Sequence, residues 1–134
     1  MLGKYRKIIK ATFLVTKNPA FTDEEFREYY ISNHMPLAAG HCQKHGVLEY
    51  NVQFNTSSDV KVVKDLLGSA AATIDCDAIT TFIFPDLESL QRAFADPDYA
   101  ATLQPDEQRF TDGSKVRLAI SDEYILVSGG MTLA

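Results

Sequence analysis

A chain of 134 residues, 46% hydrophobic and 23% charged, has the size and composition of one globular domain. Residues 1–134 are read as a single unit whose core needs neither metal nor disulfide. Its formal net charge is −5, and Lys4, Arg6, Lys7 and Lys10 make only a short basic group at a strand start, which argues against a nucleic-acid partner.

No leader pattern and no apolar run near the ~18–20 residues of a membrane span is found. Cys42 and Cys76 lie far apart and outside metal-type spacing. A cytoplasmic protein with free thiols and no membrane contact is expected.

Residues 7–16 are β-branched and apolar without Gly or Pro, which predicts a strand covered on both faces. Asn18-Pro19 ends it. Thr22 with Glu25 three residues on is a capping-box pattern, and Asp23 and Glu24 suit the positive end of a helix dipole. A helix is therefore expected over about 22–34, bending at Pro36 and continuing to about residue 41.

Residues 46–54 alternate, with Leu48, Tyr50, Val52 and Phe54 on one face, as a half-buried second strand does. Residues 55–73 carry no strong period and read as a loop with a short helix at about 60–67, long enough to serve as a lid or pocket wall. Residues 78–84 read as a third strand, closed by Pro85-Asp86. A helix follows from Leu87, then a turn at Asp96-Pro97-Asp98, short helices over 99–103 and from Pro105 to about Thr111, and a turn at Asp112-Gly113-Ser114.

Residues 116–127 supply the last strand, Gly129-Gly130 reads as a flexible tail, and there are no internal repeats. The order β-α-β-β-α-β is that of a ferredoxin-like α+β domain, an antiparallel four-stranded sheet with its helices on one face. Strands one and three are apolar on both sides, so the open face calls for a cover, and a second copy is the simplest one.

The chemistry-bearing residues concentrate in one stretch. All three histidines, His34, His41 and His45, fall within twelve residues. Helical spacing puts Phe26, Tyr30, His34, Leu37 and His41 on one apolar stripe facing the sheet. With Tyr29, Tyr30 and Tyr50 nearby, they supply titratable and hydrogen-bonding groups around one expected cavity. His34, His41 and Tyr30 are the candidate catalytic groups, and His45, Tyr50, Tyr29 and Phe26 the candidate substrate contacts.

His41 and His45 have ligand-like i, i+4 spacing, but no HExxH or inward carboxylate set accompanies them, so no metal is expected. Cys42 is expected to point away from the histidine face. Pro105, Asp106 and Glu107 fit a helix start, with proline and acids in the first turn. Acid–base chemistry without a cofactor fits these residues best.

The segment Phe26-x3-Tyr30-x3-His34-x-Pro36-Leu37, with Asp96-Pro97-Asp98-Tyr99 and Pro105-Asp106-Glu107-x2-Phe110-x-Asp112, resembles the EthD-type branch of the dimeric α+β barrel superfamily. The resemblance covers the whole domain. It implies a homodimer with sheets packed face to face and a pocket between sheet and helices in each protomer. It also implies a cofactor-independent lyase acting on a small aromatic polyketide of the anthrone or anthraquinone type. Decarboxylation of an aryl carboxylate ortho to a phenol, with histidine as general acid, is the expected reaction. A dehydratase or cyclase, a cofactor-free anthrone-type monooxygenase and a non-catalytic ligand carrier are the alternatives.

Overall fold

The computed structural model describes residues 3–55, 57–68 and 72–133. Strand β1 (Lys4–Val15) runs through the middle of a four-stranded sheet of order β2-β3-β1-β4, with β2 at Glu49–Phe54, β3 at Ala78–Phe84 and β4 at Arg117–Ile125. All neighbours are antiparallel, with Phe13 opposite Thr80 on one side and Leu118 on the other. The fold is the ferredoxin-like α+β arrangement that the element order predicts. Several boundaries move. The first strand starts earlier, at Lys4, and the second starts only at Glu49, because Gly46 and Val47 are taken up in ending the preceding helix.

Helix α1 (Asp23–Tyr29) opens on the full capping box, Thr22 accepting from the Glu25 amide while Glu25 accepts from the Thr22 amide. It passes without a break through a wide π-helical turn, Tyr30–His34, into α2 (Met35–Lys44). Pro36 explains the turn. A proline inside a helix has no N–H for the carbonyl four residues back, and its ring crowds that carbonyl, here Ser32. The chain relaxes by bonding one residue further, Met35 N–H to Tyr30 O.

The second half repeats the device. Helix α4 (Leu87–Ala95) is followed by a π turn, Tyr99–Leu103, and by α5 (Gln104–Phe110), with Pro105 standing where Pro36 stands. Tyr30 to Pro36 and Tyr99 to Pro105 thus share one spacing, a repeat too short to register as self-similarity in the sequence.

Helix α2 ends in a Schellman motif. Val47 N–H reaches Cys42 O at 3.0 Å and Gly46 N–H reaches Gln43 O at 3.4 Å, with Gly46 at φ 69°, a conformation glycine adopts without a side-chain clash. Helix α3 (Ser57–Leu67), longer than the expected 60–67 segment, is solvent-facing, with Leu66 80% exposed. The chain after β4 is not a free tail: β5 (Val127–Ser128) and β6 (Met131–Thr132) pair across Gly129-Gly130. Both glycines have positive φ, as a two-residue hairpin turn requires.

Two apolar clusters fill the space between helices and sheet. Val15, Phe26, Tyr30, Ala78 and Phe110 form one, and Ala11, Phe84 and Ala93 the other. A cavity opens where they do not merge. The apolar exposure expected over the open sheet face falls elsewhere. Ile83 and Thr81 on β3 are buried, whereas Leu118, Ile120 and Tyr124 along β4 are each about half exposed. No described helix is long and apolar enough to cross a membrane.

Candidate functional site

The cavity measures about 320 Å³ and is walled by Phe13, Phe82, Phe84, Phe94 and Phe110, with polar groups entering from the two π turns, α2, α5 and the strands β2 and β3. That composition, mostly aromatic with few convergent polar atoms, is the usual make-up of a small-molecule site. No lysine or arginine lines it among the described residues.

The π turn decides which side chains arrive there. An extra residue in the helix advances its phase, so the buried face runs Phe26, Tyr30, His34, Ala38, Cys42, in steps of four. The stripe expected from regular spacing is corrected on this point: Leu37 is 43% exposed, and Cys42 turns inward to line the cavity. Burial pushes the Cys42 thiol up to about 11, so it stays a neutral wall.

His34, 5% exposed, is held by a residue of the other half of the chain. Its Nδ1 lies 2.9 Å from Asp106 Oδ2, and the second oxygen of Asp106 accepts the Tyr29 hydroxyl at 2.6 Å. With both oxygens engaged as acceptors, Asp106 selects the tautomer of the neutral ring, the one with its proton on Nδ1 and its lone pair on Nε2. That nitrogen faces Glu107, 3.9 Å from its Oε1.

Glu107 is half-buried and lines the cavity, where Tyr99 donates to its Oε2 at 3.1 Å. Burial pushes its carboxyl above the usual range; the facing His34 and the Tyr99 hydrogen bond oppose the rise, and Asp106 adds to it. The result is an imidazole and a carboxyl group side by side at one end of an aromatic chamber.

The remaining tyrosines sit on the sheet side. Tyr30 Oη and Thr80 Oγ1 are 2.5 Å apart, and burial pushes the Tyr30 phenol up to about 12. Tyr50 stacks flat on Phe82 at 4.7 Å and lines the cavity.

Of the residues marked by the sequence, His34, Tyr30, His41 and Tyr50 line the cavity; His45, Tyr29 and Phe26 do not. Tyr29 reaches the site through its hydrogen bond to Asp106 and its ring contact with Phe110, and Phe26 is core. His41 donates from Nε2 to Ala93 O at 2.7 Å, and His45 Nε2 lies 2.7 Å from Asp96 Oδ2, so both work mainly to fasten α2 to the end of α4. His41, His45 and Asp96 offer donor atoms within 4.8 Å of one another. However, the Lys44 ammonium already sits 2.6 Å from the same Asp96 oxygen, and the group reads as an interhelical clasp.

The residues missed are Asp106, Glu107 and Tyr99. A helix start accounts for acids at 106 and 107 without any partner, and the clue that they do more is Phe110, one turn on, whose ring packs on those of Tyr30 and His34 at 4.9 and 5.1 Å. None of the described residues of the long segment 55–73 lines the cavity.

Residues 18–114 match the EthD domain model. Among similar proteins is the conidial pigment biosynthesis dehydratase EthD of Metarhizium robertsii, 27% identical over 86% of this chain and 82% of that protein. Another is the decarboxylase claH of Passalora fulva, 24% identical over 85% of this chain and 76% of that one. A crystal structure of an EthD family protein from Bacillus halodurans superposes with a TM-score of 0.59 at 22% identity, covering 87% of this chain and 98% of that one. It supports the fold.

Proposed function

The chain belongs to the EthD family, and from that premise and the site geometry we propose that it is a cofactor-independent lyase of aromatic polyketide tailoring that removes water from a hydroxylated ring ketone. The observation that carries this is the adjacency of His34 Nε2 and Glu107 Oε1 at 3.9 Å. Dehydration needs a base at a C–H and an acid at the departing hydroxyl, and here both are aimed into one apolar chamber.

His34 Nε2 takes the proton from the carbon next to the ketone, and the imidazolium that forms is stabilised by Asp106. The enolate expels the neighbouring hydroxyl as Glu107 gives it a proton. One C–H and one C–O bond break, a C=C bond forms, and water leaves. The site then holds imidazolium and carboxylate, and proton return across the 3.9 Å gap restores it.

Decarboxylation, the reaction expected from sequence, is the second reading. The relative named a decarboxylase favours it, and a protonated Glu107 could supply the one acid it needs. The cavity is the reason for ranking it second: a substrate carboxylate would enter an aromatic wall with no lysine or arginine among its described residues and meet Glu107.

The two reactions are separated with two probes that give the same product. 3-Hydroxy-1-tetralone yields 1-naphthol by loss of water, and 1-hydroxy-2-naphthoic acid yields it by loss of CO₂. Turnover of the first alone supports dehydration; turnover of the second alone, with CO₂ in the headspace, replaces it with decarboxylation.

A homodimer belongs to the same proposal. Val116 just before β4 and Leu118 and Ile120 along it are each about half exposed, and Val116 also lines the cavity, so a second copy laid on that edge would cover apolar surface and close the chamber. Light scattering at twice the protomer mass of 14.9 kDa is the expected result.

A further inference from the structure

Among the buried side-chain nitrogens and oxygens of the described residues, the Tyr50 hydroxyl oxygen is without a hydrogen-bond partner. Buried polar atoms are almost always paired, so an exception calls for a cause. Tyr50 could have been phenylalanine as far as packing goes, since its ring is held by the flat stack on Phe82 at 4.7 Å and 7°.

The neighbouring hydroxyls do not answer for it. Tyr30 is already engaged with Thr80 at 2.5 Å. The Tyr30 hydroxyl is near enough to act as a weak hydrogen-bonding neighbour that shifts the acidity of both phenols, but the pair falls short of the distance and angles of a made hydrogen bond. Burial raises the Tyr50 phenol above its usual value, with the charges of Tyr30, Cys42 and Glu107 and the nearness of the Tyr30 hydroxyl adding to the rise, so near neutral pH the group is a proton donor without a made hydrogen bond. It lines the same cavity as His34 and Glu107.

We infer that the Tyr50 hydroxyl is the receptor for the ketone or phenol oxygen of a fused-ring ligand, bound with its plane among the phenylalanines and its oxygen on the sheet side. This deepens the lyase reading without depending on turnover; it needs only that the cavity take an oxygenated ring. For the dehydration above, the bond falls on the oxygen where enolate charge develops, which makes Tyr50 a donor of the oxyanion-hole kind.

The test is binding of two probes of like shape, 1-tetralone and tetralin, to the wild-type protein and to Tyr50→Phe. Wild type is expected to bind the ketone about tenfold tighter than the hydrocarbon, the size of one well-made hydrogen bond. Tyr50→Phe is expected to lose that preference while holding tetralin as well as before. In wild type carrying tyrosine labelled at Cζ, the Tyr50 resonance is expected to move with 1-tetralone and stay put with tetralin.

Preference for the ketone that survives in Tyr50→Phe overturns the assignment, as does equal binding or no binding of the two probes by wild type. A protein that shows the preference but turns over neither naphthol precursor keeps Tyr50 in this role and removes the lyase reading alone.

Discussion

His34 Nδ1 and Asp106 Oδ2 stand 2.9 Å apart although 72 residues separate them, so the bond joins the two helical halves of the domain as well as setting a tautomer. Asp106→Asn keeps the shape but can present an amide N–H where the histidine needs an acceptor. Turnover of 3-hydroxy-1-tetralone is expected to fall by about 10²–10⁴-fold, as for other histidines deprived of an orienting carboxylate, and His34→Ala to fall at least as far. Circular dichroism with unchanged far-ultraviolet signal checks that the fold is retained. Activity near wild type in Asp106→Asn would remove the histidine–aspartate pair from the mechanism.

Glu107 gives two effects of pH. Burial raises its carboxyl above the unfolded value, so the folded state binds the proton more tightly. Stability from this group is full below the unfolded pKa and declines as pH rises through the folded one. Glu107→Gln, which has no charge to bury, should flatten that decline in thermal melts. In wild type, activity should fall on the alkaline side as the acid ionises. In Glu107→Gln it should be low at every pH, with that limb gone.

Asp96 behaves in the opposite sense. Lys44, the Asp98 amide and His45 hold its carboxyl well below the usual range, so its contribution is present above the unfolded pKa and is lost as pH falls through the folded one. Asp96→Asn should melt below wild type at neutral pH, and the gap should narrow in acid. Because Asp96 is outside the cavity wall, turnover in Asp96→Asn measured well below its melting temperature should change little.

Phe110, 1% exposed, is packed on the rings of Phe26, Tyr29, Tyr30 and His34. Phe110→Ala is expected to cost about 3–5 kcal/mol in denaturant titration, the range for deleting a core phenylalanine. Leucine at this position should recover more than half of the loss. Equal losses for Ala and Leu would show that ring packing rather than volume sets the cost.

Gly46→Ala tests the end of α2. The positive φ of 69° belongs to a position with open space around a would-be Cβ, so any cost is conformational. About 1 kcal/mol is expected, read from the urea midpoint.

The fold was legible because its cues are local. Ala78–Phe84 is a β-branched and aromatic run closed by Pro85-Asp86, and the Thr22–Glu25 box declares its helix within four residues. His34 and Tyr30 were legible for the same reason, as polar groups at helical spacing on an apolar stripe.

Asp106 and Glu107 were not, because first-turn acids are self-sufficient in a single sequence, and the contact that gives them another task spans 72 residues. The phase error that put Leu37 on the inward stripe and turned Cys42 away from it has a physical source too. Regular spacing assumes 3.6 residues per turn, and the turn over Tyr30–His34 is wider. The histidine cluster divides into two structures: His34 on the cavity wall, His45 in a clasp on Asp96, and His41 at the border of both.

Each of the two wide turns stores one residue in the interior of a helix pair, ahead of Pro36 and Pro105. Taking out that residue together with the proline's demand for it would leave a regular helix of nearly the same length, with every cap downstream intact. Everything beyond the turn would face about 100° away. Loops usually absorb such length changes silently; here the slack is held at the site itself. A chain one codon shorter could therefore keep the sheet and the caps of this one and carry a different set of side chains to the chamber, which makes these two positions a short route from one chemistry to another on the same scaffold.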